Sequence, residues 1–251
     1  MLDILPHDGG IHEIRMARPP VNALTIDLVR ALREAITEAP ANGARGIVVS
    51  GAQGMFSAGV DVPALLQCDR AGVEAFWNEF FALCGAIAVS SVPTVAAITG
   101  HSPAGGAVIS LFFDYRVMAH GVYKIGLNEV QVGMSVPDPI QFAMRRIVGA
   151  YRAERLIVAG AMVDAEQAHA IGLVDELATV EQVVTRAVLW LNDLLKLPPN
   201  AMLRTRAMAR ADLVSVWGDT TNLLDPRFID DFFADETQSV LHALVARLKS
   251  R

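Results

Sequence analysis

The stretch that decides the interpretation of this chain is Pro103-Ala-Gly-Gly-Ala-Val-Ile-Ser-Leu-Phe-Phe-Asp-Tyr-Arg116, followed by Ile125-Gly-Leu-Asn-Glu-Val-Gln-Val-Gly133. A glycine pair opens an apolar run that predicts the start of a helix, where free backbone N–H groups can bind an oxyanion. Glu129 lies among apolar neighbours, and a carboxyl group in such surroundings tends to have a raised pKa and can move protons near neutral pH. Together these features predict a site that binds a carbonyl oxygen and transfers a proton beside it.

A second small-residue turn strengthens this prediction. Phe56-Ser-Ala-Gly-Val-Asp-Val62 follows Gly46-Ile-Val-Val-Ser50, an apolar run that predicts a buried strand. A glycine in such a turn lets a backbone N–H approach a ligand closely. Two turns of this kind can supply two donors to one oxygen.

The composition favours a large folded core and excludes several classes of function. The chain has 251 residues, of which 53% are hydrophobic, and its net charge of −6 provides no general attraction to nucleic acid or anionic membranes. It contains no apolar run of the ~18 residues that a membrane span requires, and its N-terminus lacks the pattern of a signal peptide. Cys68 and Cys84 have no metal-ligand spacing and are expected to be packing residues. We therefore expect a soluble, cytoplasmic protein without nucleic-acid or membrane partners.

The order of the predicted elements indicates the fold class. Strand and helix patterns alternate up to about residue 177, and only helix patterns follow, which is typical of an α/β core with a C-terminal helical region. We place the core in residues 1–197 and the helical region in residues 198–251. The last predicted helix, from about Phe228 to Lys249, carries an unusual apolar load that predicts an interface between subunits.

Three motifs in order along the chain resemble those of the enoyl-CoA hydratase/isomerase (crotonase) superfamily. They are Phe56-Ser-Ala-Gly-Val-Asp61, Pro103-Ala-Gly-Gly106 with Asp114-Tyr-Arg116, and Ala168-His-Ala-Ile-Gly-Leu-Val-Asp175. The resemblance covers nearly the whole chain. It implies a spiral of ββα units with a C-terminal helical trimerisation region, an acyl-CoA substrate, and a homotrimer or a dimer of trimers. It implies no metal and no redox cofactor, since CoA is part of the substrate, and the chain has no GxGxxG or P-loop motif.

Within the superfamily the chain resembles the mitochondrial-type 3,2-enoyl-CoA isomerases. The likeness rests on Pro19-Pro-Val-Asn22, on Ile125-Gly-Leu-Asn-Glu129 and on the position of Pro137. Hydratases of the superfamily carry a glutamate where this chain has Val108, and they use it with a second glutamate to activate water. Only the second one, Glu129, is present here. The resemblance therefore favours isomerisation over hydration.

The same resemblance assigns roles to individual residues. It implies that the backbone N–H groups of Ala58 and Gly105 hold the thioester oxygen, while Glu129 carries a proton from carbon 2 to carbon 4. Other positions are expected to bind substrate: Gly106, Asp61, Val62, Val108, Trp77, Phe81, Pro137 and Phe142. The aromatic residues among them have helical spacing, which is equally typical of a packed core.

Several alternatives remain open from the sequence. The chain can be a hydratase or a dienoyl-CoA isomerase that uses Asp138 as a second acid, although an aspartate before Pro139 is typical of a turn or helix cap. It can also be a non-catalytic CoA- or partner-binding protein. Arg18, Arg247 and Lys249 are candidates for contacts with the CoA phosphates, and His101 is a candidate for a position near the ligand.

Overall fold

The computed structural model of the chain describes residues 1–221 and 223–249. Its strands, β1 to β10, are Leu2–His7, Ile11–Met16, Gly46–Ser50, Gly54–Met55, Thr94–Ile98, Gly100–Pro103, Tyr115–Ala119, Lys124–Gly126, Val163–Asp164 and Glu176–Ala178. Its helices, α1 to α12, are Ile26–Glu38, Val62–Leu65, Arg70–Ala88, Gly105–Ser110, Asp138–Val148, Ala150–Val158, Ala165–Ala170, Val183–Leu194, Pro199–Ala209, Ala211–Trp217, Pro226–Phe232 and Asp235–Lys249. A 3₁₀ turn spans Glu129–Val132.

The strands form two sheets. The larger has the order β1-β2-β3-β5-β7-β10, in which only the β1–β2 pair is antiparallel, and the smaller has the order β4-β6-β8-β9. Every residue of β3 and β5 is buried, which explains why both strands read as unbroken apolar runs. Strands β1 and β2 both join the large sheet. In the pairs β3–β4, β5–β6 and β7–β8, the first strand joins the large sheet, the second joins the small sheet, and a helical segment follows. The expected α/β architecture of ββα units is therefore confirmed.

The small sheet positions the predicted motifs. Strands β4, β6 and β8 are parallel neighbours. The carboxyl ends of parallel strands meet at one edge of a sheet, where ligands commonly bind. The segments that leave these strands are the turn after Met55, the start of α4 at Gly105, and the turn at Glu129. Sheet topology thus brings together these three segments, which lie far apart in the sequence.

Several helices begin where a side chain accepts a hydrogen bond from a backbone N–H of the first turn. The Thr25 hydroxyl accepts a hydrogen bond from Leu28 N–H at the start of α1 (3.4 Å), and the Asp164 carboxylate accepts one from Gln167 N–H at the start of α7 (2.8 Å). Helix α8, by contrast, begins at Val183 without a side-chain cap.

Local hydrogen bonds set the ends of several elements. Strand β10 begins only at Glu176, because the N–H groups of Leu173 and Val174 donate to Ala168 O after α7. Helices α9 and α10 meet at Arg210. The guanidinium of Arg210 is buried there and donates to Ala88 O and Phe112 O. The helix expected from 228 to 249 is likewise interrupted, between α11 and α12.

The C-terminal helices pack on the main core of their own chain. Phe228, Phe232 and Leu241 are at most 5% exposed and belong to the same apolar cluster as the residues of α1 and α3. These three side chains are therefore covered by their own chain, and the interface between subunits stays a prediction. The trimer and the division at residue 197 stay predictions. Within the described part of the chain, no helix combines the length and the apolar character needed to cross a membrane.

Candidate active site

A cavity of about 580 Å³ lies at the edge of the small sheet, where the turn after β4, the start of α4 and the turn at Glu129 meet. Its walls come from the loop after β2, the turn after β4, the start of α4, the 3₁₀ turn, and side chains of α3, α5, α11 and α12. A second cavity of about 530 Å³, between α8 and α9, contains Asp114 and Arg206. Those two residues are already paired with each other at 2.8 Å, so the first cavity is the better candidate for chemistry.

Two glycines let the first turn pack against the start of α4. Gly59 has a φ of +83°, and a Cβ atom there would lie 3.2 Å from Gly105 N and 3.1 Å from Pro103 O. A Cβ atom on Gly106 would lie 2.8 Å from Ser57 O. Side chains at these positions would push the two segments apart. The glycines that sequence analysis singled out are thus required by a close backbone approach, which places both predicted donor segments on one side of the cavity.

The two predicted backbone donors differ in whether their N–H groups already make a hydrogen bond. Gly105 is the first residue of α4, and its N–H has no acceptor among the described residues. The N–H of Ala58 donates to Val21 O at 2.9 Å. Both Ala58 and Val21 line the cavity. A carbonyl oxygen entering the cavity therefore meets one free donor and one that the loop after β2 already uses.

Glu129 supplies the titratable group. It begins the 3₁₀ turn, its side chain is half-buried, and its Oε2 atom is buried without a hydrogen-bond partner. Burial raises the pKa of this carboxyl group to about 7, against a smaller opposing effect from a backbone hydrogen bond. A group with this pKa can both accept and return a proton near neutral pH.

The raised pKa of Glu129 predicts a pH-dependent cost to folding. The pKa is raised from 4.5 to about 7, so the stability that the neutral carboxyl contributes is fully present below about pH 4.5 and is lost as pH rises to about 7. Glutamine imitates the neutral acid at every pH. We expect Glu129→Gln to match the wild type near pH ~4 and to be more stable by about 1–3 kcal/mol near pH ~9. Urea unfolding at both pH values tests this, with the exposed Glu38→Gln as the matched control; an equal offset at both pH values would contradict it.

The rest of the lining is mainly apolar. Val108 is buried beside Gly105, at the position that the resemblance assigns to a second glutamate in hydratases. Eight of the predicted site residues line the cavity: Ala58, Asp61, Val62, Trp77, Gly105, Val108, Glu129 and Pro137. Three others do not: Gly106, Phe81 and Phe142. Gly106 packs on Ser57, Phe81 turns its ring to Trp217 at a centroid distance of 5.7 Å, and Phe142 packs against the core.

The charged residues near the cavity are mostly paired. Arg18 donates to Asp61 at 2.8 Å and to Ala23 O at 3.1 Å, and Asp61 also caps α2 by accepting from Ala64 N–H. The Asp61 carboxylate thus connects the loop after β2 with the start of α2. Asp138 is exposed, pairs with Arg145 at 2.8 Å and does not line the cavity.

The remaining polar candidates are not brought to the site by the described contacts. The Nδ1 atom of His101 accepts from Lys124 N–H at 3.2 Å, and His101 does not line the cavity. The side chain of Lys249 lies outside what the structure describes. Contacts of Arg247 and Lys249 with CoA phosphates stay predictions.

The comparison with protein families decides the class of the chain. The model of the enoyl-CoA hydratase/isomerase family matches residues 7–249. The chain belongs to this family. It is therefore an enzyme of the enoyl-CoA hydratase/isomerase type, and the predicted superfamily and fold are confirmed.

The chain is similar to relatives named as isomerases and to relatives named as probable hydratases. The human mitochondrial enoyl-CoA delta isomerase 1 is 28% identical over 96% of this chain and 81% of its own length. A probable enoyl-CoA hydratase, EchA17 of Mycobacterium avium, is 32% identical over 80% of this chain and 78% of its own. Among solved structures, the human mitochondrial delta3-delta2-enoyl-CoA isomerase superposes with a TM-score of 0.90 at 27% identity, covering 99% of this chain and 98% of the other. The relatives leave the specific reaction open.

Sequence reasoning missed the contribution of the C-terminal helices to the cavity. Phe228 of α11 and Leu244 and Leu248 of α12 line it. The spacing of Leu244 and Leu248, four residues apart, is a signal for one helix face, but it does not say what that face covers. The contact between Val21 O and Ala58 N–H has no side-chain signature and was not predictable.

Proposed function

We propose that the protein is an isomerase that shifts a carbon–carbon double bond from position 3 to position 2 of an enoyl-CoA thioester. The observation that carries the proposal is the set of carboxylates in the cavity. Among the described lining residues these are Glu129 and Asp61, and Asp61 is held by Arg18. One carboxylate with a pKa near 7 is sufficient to carry a proton between two carbons, whereas Val108 cannot help to hold a water nucleophile.

The first step is removal of a proton from carbon 2. The thioester oxygen lies against Gly105 N–H and the turn at Ala58, and negative charge develops on it as Glu129 takes the proton. Loss of one backbone donor to such an oxyanion typically costs ~3–4 kcal/mol in barrier height. At Ala58 the oxyanion competes with Val21 O for the N–H. Gly105 therefore supplies the donor that is available without rearrangement.

The second step returns the proton to carbon 4. The enolate delocalises over the former double bond, so carbon 4 becomes basic as carbon 2 does. Protonated Glu129 delivers the proton there and is ready for another turnover, with no net change in protonation. The product double bond is conjugated with the thioester carbonyl, which makes it the more stable isomer. Apolar walls formed by Val108, Trp77 and Pro137 exclude water from the enolate.

The experiment that tests the proposal follows the proton itself. A 3-enoyl-CoA deuterated at carbon 2 is incubated with the protein, and the 2-enoyl product is examined by mass spectrometry and NMR. Transfer by one carboxylate predicts product with measurable deuterium at carbon 4. Absence of any isomerised product would contradict the proposal.

The pH dependence of the rate follows from the same carboxyl group. Only ionised Glu129 can take the first proton, and its pKa is raised to about 7. We expect kcat/KM to rise about tenfold per pH unit below this value and to level off above it. A profile of kcat/KM from acid to alkaline pH measures this; a limb at the ordinary pKa of a glutamate would contradict the assignment.

Hydration of a 2-enoyl-CoA is the second candidate function. It is favoured by the 32% identity to probable hydratases. The apolar Val108 beside Gly105 argues against it. A non-catalytic CoA-binding role is disfavoured by the unpaired, buried Oε2 of Glu129, since a carboxylate without a task or partner there would only destabilise the fold.

A further inference from the structure

The exposure of the lining residues gives the cavity a direction. Pro19, Pro20 and Pro63 are exposed and form its open end. Trp77, Phe80 and Phe228, whose rings contact one another, are at most 5% exposed and form its closed end. A large polar carrier group must remain at the open end, because burying its charges would be costly. An acyl tail that passes Glu129 therefore continues toward the closed end.

An aromatic pair lies at this closed end. The ring of Phe228, on α11, stands edge-on to the ring of Trp77, on α3, with centroids 5.0 Å apart and planes at 82°. Trp77 is in turn 5.6 Å from Phe80, also at 82°. Such edge-to-face contacts add to the burial of the rings and resist separation. The three rings thus form a continuous wall across the end of the cavity.

Contacts outside the cavity hold this wall in place. Arg70 of α3 pairs with Asp230 of α11 at 2.9 Å, and its guanidinium lies 5.2 Å from the centroid of the Phe233 ring. The next residues of α11, Ile229 and Phe232, are buried in the core. Because the residues that directly follow Phe228 attach α11 to α3 and to the core, a longer ligand cannot push this helix aside without breaking these contacts.

We propose that Phe228 sets the upper limit of acyl chain length by closing the cavity against Trp77. The inference rests on the proposed function, since it concerns the acyl tail of the same substrate. It assigns a specificity role to a residue of the C-terminal region, which the sequence pattern associated with assembly. The acyl group that this chain accepts is an aliphatic one whose end lies against Phe228.

The test compares 3-enoyl-CoA substrates that range from hexenoyl to hexadecenoyl. Phe228→Ala and Phe228→Leu enlarge the closed end, so the ratio of kcat/KM for a long substrate to that for a short one rises, by about fourfold for each methylene newly accommodated. Phe228→Trp fills the end and lowers the same ratio. If Phe228→Ala does not fold, the test still stands, because Phe228→Leu is expected to raise the ratio and Phe228→Trp to lower it.

Phe232→Ala and Phe232→Leu are the matched controls. Phe232 is equally buried on the same helix but does not line the cavity, so its loss disturbs packing without changing room for the tail. We expect the controls to leave the ratio unchanged. Equal ratios in the wild type and all Phe228 variants, or equal shifts in the controls, would overturn the inference.

A binding measurement separates this inference from the proposed function. Calorimetry with saturated acyl-CoA of the same chain lengths needs no turnover, and Phe228→Leu is expected to tighten binding of the longest chains relative to the shortest. If the wild type converts no 3-enoyl-CoA but Phe228→Leu shifts binding in this way, the isomerase proposal is refuted and the role of Phe228 is supported. A wild type that is active, with binding unaffected by Phe228, does the reverse.

Discussion

Replacing Glu129 with glutamine lowers isomerase turnover by at least about 100-fold, the range expected for loss of a general base. Glutamine keeps the size and shape of the side chain but cannot accept the proton from carbon 2. Since no other carboxylate in the described lining is free of a partner, no group is available to take over. The measurement is the rate of 3-enoyl-CoA conversion at saturating substrate, with CoA-ester affinity measured in parallel.

Asp138→Asn is the matched control for this result. Asp138 is an exposed carboxylate that pairs with Arg145 and lies outside the cavity lining. We expect its substitution to leave turnover within about twofold of the wild type, as is usual for a surface change of this kind. Near-wild-type turnover in Glu129→Gln, or a large loss in Asp138→Asn, would show that the acid–base group has been assigned to the wrong residue.

Placing glutamate at Val108 raises the hydration of 2-enoyl-CoA by at least about tenfold, because a second positioned acid–base group contributes to activation of water. Val108 is buried in the lining beside Gly105, so the new carboxylate shares the cavity with Glu129. Two carboxylates in one site repel, which raises the pKa of one of them and favours a state with one acid and one base. The same variant is expected to be less stable than the wild type.

Val108→Gln separates the chemistry from the change in size. Glutamine has the shape of glutamate and disturbs the packing similarly, but it provides no base. Hydration is expected to increase in Val108→Glu and not in Val108→Gln. An equal increase in both variants would mean that the wild type lacks a polar group to hold water, and not specifically a second carboxylate.

Most of the residues that line the site could be predicted from the sequence, because each main motif meets a physical requirement of the backbone or of a buried group. Glycine is needed at Gly59 and Gly106, where the two donor segments approach within contact distance, and an apolar setting is needed around Glu129. Such requirements leave residue types at fixed positions. The alternation of strands and helices likewise reflects burial of β3 and β5 on both faces.

Tertiary packing decided what the sequence could not predict. Trp77 and Phe81 lie one turn apart on α3, yet Trp77 faces the cavity while Phe81 packs on Trp217. Helical spacing alone does not distinguish these two environments. The apolar residues of the C-terminal helices had two possible partners, another subunit or their own chain. Phe228 and Leu241 pack on their own chain, a choice that depends on where the connection after α10 leads.

We infer that one carboxylate, without a second beside it, makes the protein an isomerase. The most direct measurement supplies the purified protein with 3-enoyl-CoA and 2-enoyl-CoA of equal chain length and compares kcat/KM for isomerisation with kcat/KM for hydration. We expect kcat/KM for isomerisation to exceed kcat/KM for hydration by a factor of about 100 or more, the usual contribution of a positioned acid–base group. A hydration rate equal to or greater than the isomerisation rate would contradict it.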